Sequence, residues 1–142
     1  PVLVKADGAR MREFKAPAEN EPQIPDTADT VIPVASAHVV GEPLDEELVH
    51  RPERVADLTG ADIGDDVTPE MVGRVLAHPE GGLKGVPPGA TVVPLVNKVD
   101  DADDERVARE IAETVLAQAN RSVVPRVVLA RMTDAKLVDV LE

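Results

Sequence analysis

Cysteine, tryptophan and tyrosine are missing from this chain of 142 residues, and Phe14 is its sole aromatic side chain. Without cysteine there is no disulfide framework, no thiolate metal ligand and no cysteine nucleophile. Without aromatics, base stacking on single-stranded nucleic acid is excluded as a main source of affinity. Lysine is scarce as well: five of the 15 basic residues, set against 27 acids, for a formal net charge of −12. A surface this acidic repels DNA and anionic membranes and keeps a protein soluble. An aspartate-rich, lysine-poor, aromatic-poor composition is also what salt-loving organisms use, so a halophilic cytoplasm is the expected setting. No apolar run approaches the roughly 18 residues of a membrane span, and no charged-then-apolar signal segment opens the chain. Neither nucleic acid nor membrane is expected as a partner, and the protein is expected to be soluble and cytoplasmic.

What is present has the length of one domain, since a chain of this size buries about two thirds of its extended surface. Short apolar runs alternate with helical patterns. PVLV at 1–4, the stretch 29–36, TVVPLV at 91–96 and SVVPRVVLA at 122–130 read as strands. Prolines at 33, 94 and 125 each remove a ladder donor, so bulges or edge positions are expected there. Pro52 opens a short helix that Gly60 stops, and Thr68-Pro69 caps a second. Asp101, Asp103, Asp104 and Glu105 load the first turn of a third helix over 102–119, with Val107, Ile111 and Val115 down one face. Thr133-Asp134 caps a last expected helix through Leu137 and Leu141. Such alternation predicts an α/β domain: a parallel sheet of about four strands with flanking helices.

Two stretches carry chemistry. VVPLV runs into Asn97-Lys98-Val99-Asp100, where a parallel strand delivers functional residues. The Asp100 carboxylate can accept two parallel hydrogen bonds, which suits guanine's ring N–H and exocyclic amine. The Asn97 amide can donate to a ring acceptor, and the Lys98 stem can cover a base face. The competing reading is a turn, since Asn and Asp favour strand-to-helix connections and N-caps with no ligand. The second stretch opens the chain. Asp7-Gly8 after an apolar run is how nucleotide-hydrolysing folds present a carboxylate to magnesium, and equally how an ordinary turn is made. Lys5, Arg10, Arg12 and Lys15 crowd cations around it, which suits phosphate or another oxyanion. His38, His50 and His78 lack any pair at metal-binding spacing, so no zinc site is expected. His50-Arg51-Pro52-Glu53 reads as a salt-bridged helix start, and the glycine- and proline-rich HPEGGLKGVPPG as a loop over a site or a long connection.

ADGARMREFKAP, NEPQIP, GEPLDEELVHRPERVADLTG, HPEGGLKGVPPGA and VVPLVNKVD, in that order, resemble the YqeC-type selenium-dependent hydroxylase accessory proteins, also called selenium cofactor biosynthesis proteins. The resemblance implies the C-terminal part of a P-loop NTPase fold, GTP or ATP with Mg2+ as cofactor, and a role in maturing molybdenum-containing hydroxylases. It implies Asp7 as the metal-side acid and Asn97, Lys98 and Asp100 at the base. Arg10, Arg12 and Lys15 are the anion-binding candidates, and His50, Arg51 and Glu53 match a block without an assigned role. Two departures stand out: Lys5 replaces a glutamate common in the family, and no G-x-x-x-x-G-K-[ST] loop occurs in the chain. The single domain over 1–142 is therefore expected to belong to a longer nucleotide-binding unit with its phosphate loop upstream, or to be a shortened homologue. A phosphoryl- or nucleotidyl-transfer enzyme acting on a small cofactor, NTPase activity depending on an upstream loop, and a non-catalytic interaction module are the other readings.

The charge yields a direct expectation. At 0.01 M salt the screening length is about 30 Å, so a net −12 is poorly screened and self-repulsion weakens the fold. The melting temperature should climb from dilute buffer to molar salt, and a flat profile would remove the halophilic reading.

Overall fold

The computed structural model describes all residues, 1–142. Its strands are short because proline sits inside the apolar runs. The first long run splits into β2 (Thr30–Val31) and β3 (Val34–Ser36) around Pro33, after a preceding strand β1 (Phe14–Lys15). β4 (Val49–His50) follows, and the run before the Asn97 quartet splits around Pro94 into β5 (Thr91–Val92) and β6 (Leu95–Asn97). The prolines lack a donor yet keep an acceptor: Pro33 O receives Leu95 N and Pro94 O receives Val128 N, both at 2.9 Å. The ladder thus passes through them.

β6 lies between two parallel partners, β3 and β7 (Val127–Arg131), and β8 (Lys136–Leu141) closes that four-stranded sheet in the antiparallel sense. Two further parallel pairs, β1 with β4 and β2 with β5, complete the pairing. The expectation of an α/β domain with a largely parallel sheet holds.

Three expectations need correction. Residues 133–141 form no α-helix: a single 3-10 turn over Met132–Asp134 leads straight into β8. Asp134 does not cap; both its oxygens take the Arg131 guanidinium, at 2.9 and 2.8 Å. Ala135 is left-handed, with φ 53, and the chain reverses into β8, where Val138 and Val140 favour an extended backbone. PVLV forms no strand either: Val2 and Leu3 are exposed, and the anchor of the segment is Ala6 O, which accepts from Gln23 N. The run from 122 becomes strand only at Val127, because Asn120 folds residues 122–124 into a turn, its side chain accepting from Ser122 and its carbonyl from Val123 and Val124.

The helices follow the sequence signals. α1 (Pro52–Thr59) ends at left-handed Gly60. α2 (Pro69–Ala77) starts where Thr68 Oγ1 accepts from Met71 N. α3 (Ala102–Gln118) starts where Asp101 Oδ1 accepts from Asp104 N at 2.9 Å. Acids in that first turn suit the positive end of the helix dipole. Ala108, Ile111, Ala112 and Val115 are buried along one side of α3. They join Ala35, Val96, Val127 and Leu129 from the sheet in one core. α3 packs on β6, β7 and β8, whereas α2 packs on α3 and on α1.

The α2–α3 crossing depends on Gly73, where a Cβ would stand 2.6 Å from Thr114 Cβ and 2.9 Å from Ile111 O. Gly73→Ala should therefore push the helices apart and cost about 1–3 kcal/mol, the range of overpacked cores. Urea denaturation in high salt checks this; an unchanged midpoint would mean that the crossing adjusts freely.

Candidate functional site

The carboxyl ends of β3 and β6 lie side by side, with Ser36 in register with Asn97. The turn beyond β3 raises His38, and the turn beyond β6 carries Lys98, Val99 and Asp100 into the cap of α3. Val99 is buried and its N–H donates to Ala130 O, which pins the turn. The side chains on either side of it are then fixed by named partners.

Asn97 Oδ1 accepts from Met132 N at 2.9 Å. The amide orientation is set by that bond, and both Nδ2 donors face away from it. Lys98 is left-handed, with φ 60, and its ammonium pairs with Glu13 Oε1 at 2.5 Å. The other Glu13 oxygen is buried without a hydrogen-bond partner. Burial opposes ionisation of Glu13, but the Lys98 ammonium, the Ser36 hydroxyl and the His38 ring outweigh it and hold its carboxyl below the ordinary range.

Asp100 Oδ2 lies 3.1 Å from His38 Nε2, which also stands 3.3 Å from Asp104 Oδ2. Asp104 in turn accepts from Asp100 N at 3.1 Å. One ligand atom from each of His38, Asp100 and Asp104 falls within 4.8 Å of the others, so these three are the residues able to hold a divalent cation. Asp100 is nearly half exposed, and the same carboxylate can instead face a base. It cannot do both at once. The histidines carried no metal signal by spacing; His38 reaches the acids only because β3 and β6 are adjacent.

The opening cations gather at a second centre, around β1 and β4, where Lys15 is in register with His50. Lys15 Nζ meets Asp7 Oδ2, Glu21 Oε1 and Gly8 O, each at 3.1 Å. An ammonium has three donors, and all are used. Glu21 Oε1 also takes Arg51 at 2.8 Å and Ala18 N at 3.1 Å. Arg12 Nε donates to Glu46 O, and Arg10 is left-handed without a side-chain partner of its own. Of the anion-binding candidates, Arg10 keeps its donors open, Arg12 is partly engaged and Lys15 is spent. Asp7 faces Lys15. Arg51, left-handed at the start of α1, leaves that end without a side-chain cap, and Glu53 sits in the first turn. Glu21 is the hub that sequence reading missed; its only signal was its place in NEPQIP.

The glycine-rich segment is packed rather than a lid. A Cβ on Gly81 or Gly82 would collide with the carbonyls of Val75 and Leu76 at the end of α2. Lys84 ties the segment to the carbonyls of Ala18 and Glu19.

Largely parallel strands with polar residues at their carboxyl ends and a capped helix behind them define an α/β domain. The family model described as YqeC protein matches residues 1–53. An Escherichia coli (strain K12) protein described as "Uncharacterized protein YqeC" is 34% identical over 114 residues, 79% of this chain and 44% of that protein. Over these residues the chain is similar to the YqeC family, and it spans less than half the length of this curated relative. No solved structure matches. No helix is long and apolar enough to cross a membrane.

The titrations give a pH expectation. Burial raises the Glu21 carboxyl, but Ala18 N–H, Lys15 and Arg51 together hold it below its ordinary 4.5. Burial first, then Arg51, Lys15, Arg10 and Arg12, push His50 below its ordinary 6.5. In both cases the unfolded chain takes up protons first as pH falls, so stability drops with pH. One loss should begin below 6.5 from His50 and a further one below 4.5 from Glu21. Denaturation curves at stepped pH check it: His50→Asn should flatten the upper loss, and Glu21→Gln the lower one at a cost of about 1–3 kcal/mol at neutral pH. Unchanged pH profiles in both variants would contradict the network.

Proposed function

We propose that this chain supplies the base-recognition side of a guanine-nucleotide site, in an accessory protein that serves the maturation of selenium- or molybdenum-dependent hydroxylases. The observation that carries the nucleotide reading is the fixed Asn97 amide, held by Met132 N at 2.9 Å with its donors free, at the end of a central parallel strand. Three residues on, Asp100 offers a carboxylate whose Oδ1 has no partner, and binding of guanine exchanges the His38 contact for two base donors. Lys98, anchored by Glu13, covers the base with its stem. The maturation role rests on the five ordered sequence blocks. GTP with Mg2+, Asp7 on the metal side and Arg10 toward phosphate complete the reading for the longer polypeptide. Phosphoryl or nucleotidyl transfer has less support, because Lys15 is spent within the fold and no phosphate loop lies in this chain.

Calorimetric titration of GDP, ADP and XDP against this chain and against the intact Escherichia coli relative tests the reading. GDP should be preferred over ADP. Asp100→Ala should cost about 1.5–3 kcal/mol of GDP binding, the worth of hydrogen bonds to a charged group, with the fold intact by circular dichroism. Asp100→Asn should shift preference toward XDP, since the amide offers one donor and one acceptor. His38→Ala should leave GDP binding in place. Equal GDP and ADP affinity reduces the quartet to a turn, and binding that His38→Ala abolishes and Mn2+ restores assigns the cluster to a cation instead.

A further inference from the structure

The two faces of the four-stranded sheet are unlike. Ala35, Val96, Val127 and Leu129 point to the face that α3 covers and are buried. The opposite face carries Val34, Leu95, Val128 and Val140, which are in register across all four strands. Ile32 and Val93, one pleat earlier, extend the stripe. Val34 is 57% exposed, Ile32 50% and Val140 36%, while Val93, Leu95 and Val128 are half-buried. The Arg126–Glu142 ion pair, at 3.8 Å, borders the stripe.

Parallel strands are ordinarily covered on both faces, because their crossovers place helices there. A contiguous apolar stripe of this kind marks a contact surface. α1 and α2 do not supply the cover: they pack on each other and, through α2, on α3. A second copy is disfavoured, since each chain carries −12 and like charge opposes association. The relative, by contrast, has more than half of its length outside the match. Val2 and Leu3, 89% and 92% exposed, show that this chain leaves further apolar surface unpaired.

We infer that the Ile32–Val34–Leu95–Val128–Val140 face is a docking surface whose occupant is the apolar side of one or more helices from the part of the longer family polypeptide that this chain does not span. The open sheet face is an internal interface of that polypeptide. Its occupant completes the second layer and stands beside the ends of β3 and β6.

Hydroxyl-radical footprinting tests this on proteins as they exist. In this chain, Val34 and Val140 should label at rates like that of Ile63, which is 57% exposed and lies off the sheet. In the intact Escherichia coli relative, the aligned positions should label several-fold more slowly than an exposed reference residue. Equal labelling in the two proteins, or charged residues at the aligned positions, would overturn the inference. So would protection of Val34 in this chain that rises with its concentration, since that assigns the face to a second copy. A stability measurement gives an independent arm. Val34→Asp should move the melting temperature of this chain by less than about 2 °C, as surface changes do, whereas the same change in the intact relative should lower it by about 5 °C or more. Similar shifts in both would contradict a covered face.

Discussion

The pairing of β6 on both sides governs everything else in this molecule. Its register with β3 sets Ser36 beside Asn97, and its register with β7 brings the turn after Arg131 to the Asn97 amide. Proline 94 interrupts the strand without detaching it, because its carbonyl still accepts from Val128 N while Val93 and Leu95 on either side still donate to Val31 and Pro33. Slip that register by one residue and Val96 leaves the core while Asn97 loses Met132. The hydrogen-bonded centre of the sheet is therefore also the frame of the site.

Glu13 extends this frame to the opening blocks of the sequence. Its backbone N–H donates to Leu48 O and its carbonyl accepts from Ser36 N, while its side chain holds Lys98. One residue thus joins β1, the segment before β4, β3 and the quartet. In a chain with an excess of acid, the few cations are spent where they fix geometry: Lys15 and Arg51 on Glu21, Lys98 on Glu13, Arg109 between Glu105 and Asp139. The Arg109 contacts tie α3 to β8 and hold the Asp139 carboxyl below its usual range.

How much of this was legible in the sequence depended on whether the signal was local. α3 was plain from its acidic first turn and fourfold apolar spacing, and the quartet from its place after an apolar run. The ends of the chain misled, because three apolar letters at Val2 to Val4 and Leu137 with Leu141 fit more than one period. What decides residues 133–141 is the Arg131–Asp134 pair, and a bidentate contact that diverts a capping residue leaves no periodic trace. His38 and Glu21 were illegible for another reason. His38 meets Asp104 across 66 positions and Arg51 meets Glu21 across 30, distances that only strand order closes. Of the apolar run before Asn97, the structure buries one side, Val92 and Val96, and leaves Val93 and Leu95 half-buried.

The bulge between Leu129 and Ala130 gives the edge of the sheet a say in the site. Past it, β7 turns through Met132 to Asp134 into β8, a strand held on one side only. The same Met132 N–H that belongs to this outer turn is the group that orients Asn97. Fraying at the rim is thereby transmitted inward as rotational freedom of a single amide, so the precision with which Asn97 is aimed is capped by the stiffness of the outermost strand.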